Sequence, residues 1–237
     1  MAAQERNGFW HSRSTGDLLS YVTDHISRVI DKQGEPRSVA LDISKAFDKV
    51  WHQGLLTKLR SYDVFGQLHK LVASFLLDRQ ISVVLDGQRS TTKCINAGVP
   101  QGSILGPTLF LLYRPIYDLP DGIISKFVMY ADDPCTLFNS TERPKVNSQQ
   151  RQQLCDALNK DLQTISERGS QWLVAFNSSK TQSVLHSRLK DGGAPCNLQM
   201  SGSILQEKDS ISLLGLTVSS DCRRSHIHVH VHVQLYM

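Results

Sequence analysis

Lys126-Phe127-Val128-Met129-Tyr130-Ala131-Asp132-Asp133-Pro134-Cys135-Thr136-Leu137-Phe138 reads as an apolar strand, a turn bearing two carboxylates and a returning strand. Adjacent side chains of an extended strand point to opposite faces, so Asp132 and Asp133 reach one ion only if the backbone bends sharply between them. An antiparallel hairpin supplies that bend. A third carboxylate, Asp42, ends the apolar run Val39-Ala40-Leu41. Magnesium takes octahedral oxygen coordination, commonly from one or two carboxylates plus substrate phosphates. Two such ions roughly 3.5 to 4 Å apart clamp the attacking and leaving oxygens of a phosphoryl transfer. Taken alone, an Asp-Asp pair is a common turn element, because Asp bonds its own backbone locally. The pair gains its meaning from the rest of the chain.

Working outward, Thr15 caps a predicted helix with Leu18, Leu19, Val22, Ile26, Val29 and Ile30 at three- and four-residue spacing, ended by Gln33-Gly34-Glu35-Pro36. Residues 37–43 read as a mostly buried strand, which puts Asp42 at its carboxyl end. Phe47, Val50, Trp51, Leu55 and Leu59 then share one face of an amphipathic stretch. A helix is predicted from about residue 67 to 77, then an alternating run with Ile81, Val83 and Leu85. Asp86-Gly87 closes it as a hairpin, with residues 90–95 returning. In the loop Gly98-Val99-Pro100-Gln101-Gly102-Ser103, two glycines and a proline allow close backbone approach to a ligand, and a helix begins near Pro107.

Residues 151–170 carry Leu154, Leu158, Leu162 and Ile165 at the spacing of an amphipathic cover helix. Short strands are expected at 172–176, 183–186, 198–200 and 211–218. This order predicts an α+β fold, an antiparallel sheet with helices packed on one face.

The 237 residues suffice for a substantial core, and 40% are hydrophobic, a globular composition. A net charge of +4 fits a nucleic-acid partner without establishing one. Cys94, Cys135, Cys155, Cys196 and Cys222 show no paired spacing, so neither a zinc site nor a disulfide framework is indicated. No secretory signal and no apolar run near the roughly 20 residues of a membrane span is present, so a soluble protein of the cytoplasm or nucleus, not secreted, is expected. His226 to Val233 alternate strictly; in a strand His226, His228, His230 and His232 would share one face suited to a transition metal, but the preferred reading of residues 220–237 is a non-structural tail, the product of a simple DNA repeat, after a catalytic-type domain over 1–219.

Three ordered blocks, Asp42-Ile43-Ser44-Lys45-Ala46-Phe47-Asp48-Lys49-Val50-Trp51-His52, Gly98 to Ser103 and Tyr130 to Asp133, together resemble the reverse transcriptase of non-LTR (LINE-type) retrotransposons. The resemblance implies a right-hand polymerase palm using RNA template, DNA primer and deoxynucleoside triphosphates. It implies two magnesium ions, with manganese as the other candidate, held by Asp42, Asp132, Asp133 and the carbonyl of Ile43. Phe47 matches the steric gate that excludes a 2′-hydroxyl. Pro100, Gln101 and Gly102 match the loop against template and nucleotide, and Tyr130 precedes the aspartate pair in the substrate site. Asn177 and Lys180-Thr181 resemble an N-x-x-K-T element, with Lys180 near the triphosphate as charge stabiliser or proton donor. Near the start, Arg13 matches a phosphate or template contact, and Leu213-Leu214-Gly215-Leu216 a turn supporting the primer.

Departures from the family pattern predict a truncated domain with partial fingers and no thumb. Trp10 stands where Arg is expected, Arg114-Pro115 enlarges the segment before Asp118, and Pro134 follows Asp133 where the family has Thr or Ser. A competing reading is therefore a remnant that has lost catalysis and binds nucleic acid weakly. A third, a group II intron-type reverse transcriptase or maturase fragment, is disfavoured by the block after Asp42 and the lack of a maturase extension.

Overall fold

The computed structural model describes residues 5–6, 14–113, 122–129, 135–141, 147–187, 196–221 and 228–229. Its first elements are β1 (Glu5–Arg6), α1 (Thr15–Asp31), β2 (Glu35–Leu41), α2 (His52–Ser61), α3 (Gly66–Leu76), β3 (Arg79–Ile81), β4 (Val84–Leu85), β5 (Gln88–Arg89), β6 (Lys93–Ile95) and α4 (Leu105–Tyr113). There follow β7 (Lys126–Met129), β8 (Cys135–Thr141), α5 (Ser148–Gln171), β9 (Gln182–Leu185), β10 (Gln199–Met200), β11 (Ser203–Ile204), β12 (Ser210–Leu213), β13 (Leu216–Ser219) and β14 (His228–Val229). Two compact units result: Met1–Ser44, Leu119–Arg168 and Ala175–Tyr236 form the first, and Lys45–Asp118 with Gly169–Val174 form the bulk of the second.

The first unit is built on a five-stranded sheet of order β1-β7-β8-β2-β9. Its neighbours are antiparallel except β1, which runs parallel to β7. β2 is the spine, paired with β8 from Glu35↔Thr141 to Leu41↔Cys135 and with β9 from Arg37↔Leu185 to Ala40↔Gln182. All seven residues of β2 are buried, and because strand side chains alternate, both faces of the strand must be covered. On one face Ala40, Val128, Phe138 and Val184 pack with Leu18, Val22, Ile26 and Ile30 of α1 and with Ile211, Leu213, Leu216 and Val218 of β12 and β13. The opposite face carries Glu35, whose carboxylate accepts two hydrogen bonds of 2.7 Å from Arg151 of α5. The expectation of helices on one face is corrected accordingly.

Local signals explain the element ends. Ser14, not Thr15, caps α1: its hydroxyl accepts from the Asp17 amide while the Asp17 carboxylate accepts from the Ser14 amide, a reciprocal capping box. Residues 211–218 are two strands rather than one, because Leu214 and Gly215 turn the chain at φ 49° and 82°. The strand expected at 172–176 is replaced by a turn with Leu173 at φ 55°, and Phe176 alone makes a bridge, to Ile43. Contrary to the cysteine reading, Cys155 and Cys196 form a disulfide with Cα atoms 5.8 Å apart. Two of the tail residues, His228 and Val229, pair with Thr217 and Leu216 of β13. Among the described residues no helix is long and apolar enough to cross a membrane.

His186 is a buried titratable group in this unit. Its Nδ1–H donates to the Ser219 carbonyl at 3.2 Å, which leaves Nε2 to accept from the Ser38 hydroxyl at 2.7 Å. Burial, with a smaller push from Arg37, lowers its pKa from 6.5 to about 4. Between those values the unfolded chain binds the proton and the folded chain does not, so stability is complete above pH 6.5 and falls as the pH drops toward 4. The shift corresponds to roughly 3 kcal/mol. Replacing His186 by Gln should flatten the pH dependence of the urea midpoint in that window. An unchanged slope would assign the acid loss to other groups.

The second unit packs α2 against α3 and α4. The Tyr113 hydroxyl donates to the Trp172 carbonyl, and burial raises the Tyr113 pKa. The Lys58 ammonium lies 4.4 Å over the Trp172 ring. Asp86 and Gly87, at φ 49° and 77°, make the predicted hairpin turn between β4 and β5. Its strands are shorter than the alternation predicts, and Ile81, Val83 and Leu85 are exposed rather than buried against a core.

Candidate active site

Asp42 follows β2, and the register Leu41↔Cys135 sets the carboxyl end of β2 beside the start of β8. β7 and β8 are antiparallel partners with Val128↔Thr136, so β7 stops and β8 starts at the end of the sheet where Asp42 stands. Tyr130, Asp132, Asp133 and Pro134 themselves lie outside the described residues, as do Arg13 and residues 114–120. The described part of the sheet thus puts a half-buried residue, Asp42, at the strand end to which the sequence assigns the other two carboxylates. Among the described residues the Asp42 carboxylate has no hydrogen-bond partner, and no cluster of three metal-ligating side chains occurs.

The backbone of Asp42 is held firmly. The Asn177 amide donates to the Asp42 carbonyl at 2.9 Å, and the Asp42 amide donates to the Thr181 hydroxyl at 3.3 Å. That hydroxyl donates onward to the Asn177 carbonyl at 2.9 Å. Asn177 also accepts at Oδ1 from the amide and hydroxyl of Ser179, closing the turn on itself. The next residues continue the attachment, Ile43 bridging Phe176 and the Ser44 amide donating to the Ala175 carbonyl at 2.9 Å. The N-x-x-K-T element therefore meets Asp42 through Asn177 and Thr181. Lys180 is exposed on the turn.

In the second unit Phe47 is half-buried and stacks on Phe110 with centroids 4.3 Å apart and planes inclined by 22°. The loop bearing Pro100, Gln101 and Gly102 is tied to the turn around Phe47. The Gly98 amide donates to the Val50 carbonyl and the Val99 amide to the Phe47 carbonyl, both at 2.9 Å. A Cβ on Gly98 would lie 2.7 Å from the Asp48 carbonyl oxygen, and Gly98 has φ +90°, so only glycine fits this contact. His52, on α2, reinforces it by donating Nε2–H to the Gly98 carbonyl at 2.7 Å. Gln101 donates its amide nitrogen to Asp48 at 3.2 Å, and since a carboxylate only accepts, the amide oxygen of Gln101 faces away from Asp48. Asp48, His52 and Thr181 were not singled out for roles by sequence reasoning, although all three stand inside the quoted blocks.

The antiparallel sheet with its helices is consistent with a polymerase palm-like fold. The solved telomerase from Candida albicans in complex with a TWJ fragment of telomeric RNA superposes with a TM-score of 0.54 over 88% of this chain and 33% of that one, at 15% identity. Apo telomerase from Candida tropicalis, truncated from the C-terminal domain, gives 0.52 over 89% of this chain and 40% of that one, at 12% identity. At such identities the likeness concerns the fold alone. Residues 4–218 match the family described as reverse transcriptase (RNA-dependent DNA polymerase), and the chain belongs to that family.

Among its relatives, the RNA-directed DNA polymerase from mobile element jockey of Drosophila funebris is 34% identical over 230 residues. The match covers 93% of this chain and 24% of that protein. The probable RNA-directed DNA polymerase from transposon X-element of Drosophila melanogaster is 32% identical over 185 residues, 75% of this chain and 19% of that protein. The resemblance to retrotransposon enzymes read from the three blocks is thereby borne out. The chain spans about a quarter of the length of the jockey proteins it matches.

Proposed function

We propose that this chain carries the polymerase centre of an RNA-directed DNA polymerase, extending a DNA primer on an RNA template with deoxynucleoside triphosphates. The observation that carries the reading is the register of β2 against β8, which sets Asp42 at the end of the sheet where β7 stops and β8 starts, the two strands that flank Asp132 and Asp133 in the sequence. Residues 1–219 hold the polymerase portion, with the first unit as palm and the second contributing finger elements; residues 220–237 are its tail. The donor set suits magnesium or manganese: the carboxylate of Asp42, without a hydrogen-bond partner among the described residues, the adjacent Ile43 carbonyl, and Asp132 with Asp133. When bound, such ions neutralise charge on the transferring phosphoryl group. The protein's part is to hold Asp42 rigidly through Asn177 and Thr181 and to present the loop of Pro100, Gln101 and Gly102 to template and nucleotide. Arg13 and Tyr130 serve as nucleic-acid and substrate contacts, and Lys180, on its exposed turn, meets the triphosphate.

Primer extension on an RNA template with magnesium tests this, comparing the chain with Asp132→Asn. Extension that depends on Asp132 supports the polymerase, whereas well-folded protein that extends nothing leaves a non-catalytic remnant with Pro134 as the first residue to revert. Phe47 acts as sugar gate in the same reading. Phe47→Val should raise ribonucleotide incorporation by about tenfold or more relative to deoxynucleotide, the excluded clash having been removed. An active variant with unchanged sugar selectivity would leave Phe47 only its packing role against Phe110.

A further inference from the structure

We propose that Thr181 is a positioning residue for Asp42, a role distinct from that assigned to its neighbour Lys180; the inference rests on the polymerase reading above. Thr181 is 2% exposed, so its hydroxyl is not available to substrate. It sits as a relay between two backbone groups, accepting from the Asp42 amide at 3.3 Å and donating to the Asn177 carbonyl at 2.9 Å. Asn177 closes the circuit by donating its own amide to the Asp42 carbonyl at 2.9 Å. Both backbone polar groups of Asp42 are thus fixed by one five-residue turn, 177–181, which is bonded internally through the Lys180 and Thr181 amides to the Asn177 carbonyl. Asp42 lies just beyond the last β2 residue in the sheet ladder, where neither β8 nor β9 supplies it a ladder partner. The turn replaces the missing ladder, and Thr181 supplies the one side-chain bond in that replacement.

A carboxylate that ligates an ion works at full strength only if its backbone does not swing, and removing the group that orients a ligand typically costs about 10- to 100-fold in metal affinity or activity. Thr181→Val keeps the shape and deletes the hydroxyl; Thr181→Ser keeps the hydroxyl. Ile211→Val, in the core of the same unit, is the control for a general loss of stability. Two readouts apply below the unfolding temperature of every variant: manganese binding followed by electron paramagnetic resonance, and primer extension at saturating nucleotide.

The expected result for Thr181→Val is about tenfold weaker manganese binding and an about tenfold lower extension rate, with the nucleotide KM within about twofold of wild type. Thr181→Ser should stay within about threefold of wild type in both, and Ile211→Val should change neither. Wild-type binding and rate in Thr181→Val would overturn the proposal, as would equal losses in the Ser or Ile211 variants. If the wild-type chain binds manganese but extends no primer, the polymerase reading fails and the manganese series still decides the role of Thr181. If it binds no manganese, both fail together.

Discussion

Asp42→Asn is expected to reduce magnesium-dependent primer extension by on the order of a thousandfold or more while leaving the fold intact. The two halves of that expectation have separate causes. Asn is nearly isosteric with Asp, and the bonds that fix residue 42 run through its backbone, to Thr181 and from Asn177, so the substitution disturbs neither. The side chain has no partner among the described residues, and its replacement strands no buried group. What is lost is the negative charge. A neutral amide oxygen is a weak ligand for a hard divalent cation, and electrostatic groups aimed at a developing phosphoryl charge contribute about 100- to 1000-fold each even when uncharged. Thermal unfolding within about 2 °C of wild type, together with extension at the background of the assay, is the anticipated pair of measurements. Substantial residual extension would mean that Asp42 is not a metal ligand, however well the sheet places it.

The same residues show where sequence reading succeeds. Asp42 was legible because a buried strand announces itself as a continuous apolar run and the polar residue that breaks the run marks the end of the strand. The β7–β8 pair was legible for the same reason, and its antiparallel pairing agrees with the expectation. Long-range pairings left no comparable trace. The parallel addition of β1 to β7, the Cys155–Cys196 bridge and the contact of Arg151 with Glu35 join residues far apart, with no periodicity to mark them. Local departures trace to competing signals in the same residues. Ser14 with Asp17 three residues later is a better cap than Thr15, and the apolar residues 172–176 are ordered by a turn at Leu173. Ile81, Val83 and Leu85 alternate as a half-buried strand should, yet they are exposed, because alternation reports a face without saying what covers it. In the site, the lysine of the N-x-x-K-T element drew attention through its charge. The bonds to Asp42 come instead from Asn177 and the uncharged Thr181.

Removing Arg151 should destabilise the first unit more than any surface substitution. Glu35 has a side chain only 2% exposed, and Arg151 meets both of its oxygens in a bidentate pair, each bond 2.7 Å. Arg151→Leu leaves a carboxylate buried without its counter-charge, at an expected cost of about 3 to 5 kcal/mol. That corresponds to a fall in unfolding temperature of roughly 10 °C for a chain of this size. The reverse substitution is milder, because the Arg151 side chain is 24% exposed and can turn its guanidinium to water when Glu35 is replaced by Leu. Combining Glu35→Leu with Arg151→Leu should recover most of the loss, since the desolvation of a buried pair offsets much of its attraction. The exposed Arg28–Asp24 pair on α1, with side chains 73% and 51% exposed, is the natural contrast: Arg28→Ala should cost no more than about 0.5 kcal/mol, and that small effect should vanish in high salt. Equal losses from Arg151→Leu and Glu35→Leu in urea unfolding would show that Glu35 finds water on its own, and the asymmetry argued from burial would be wrong.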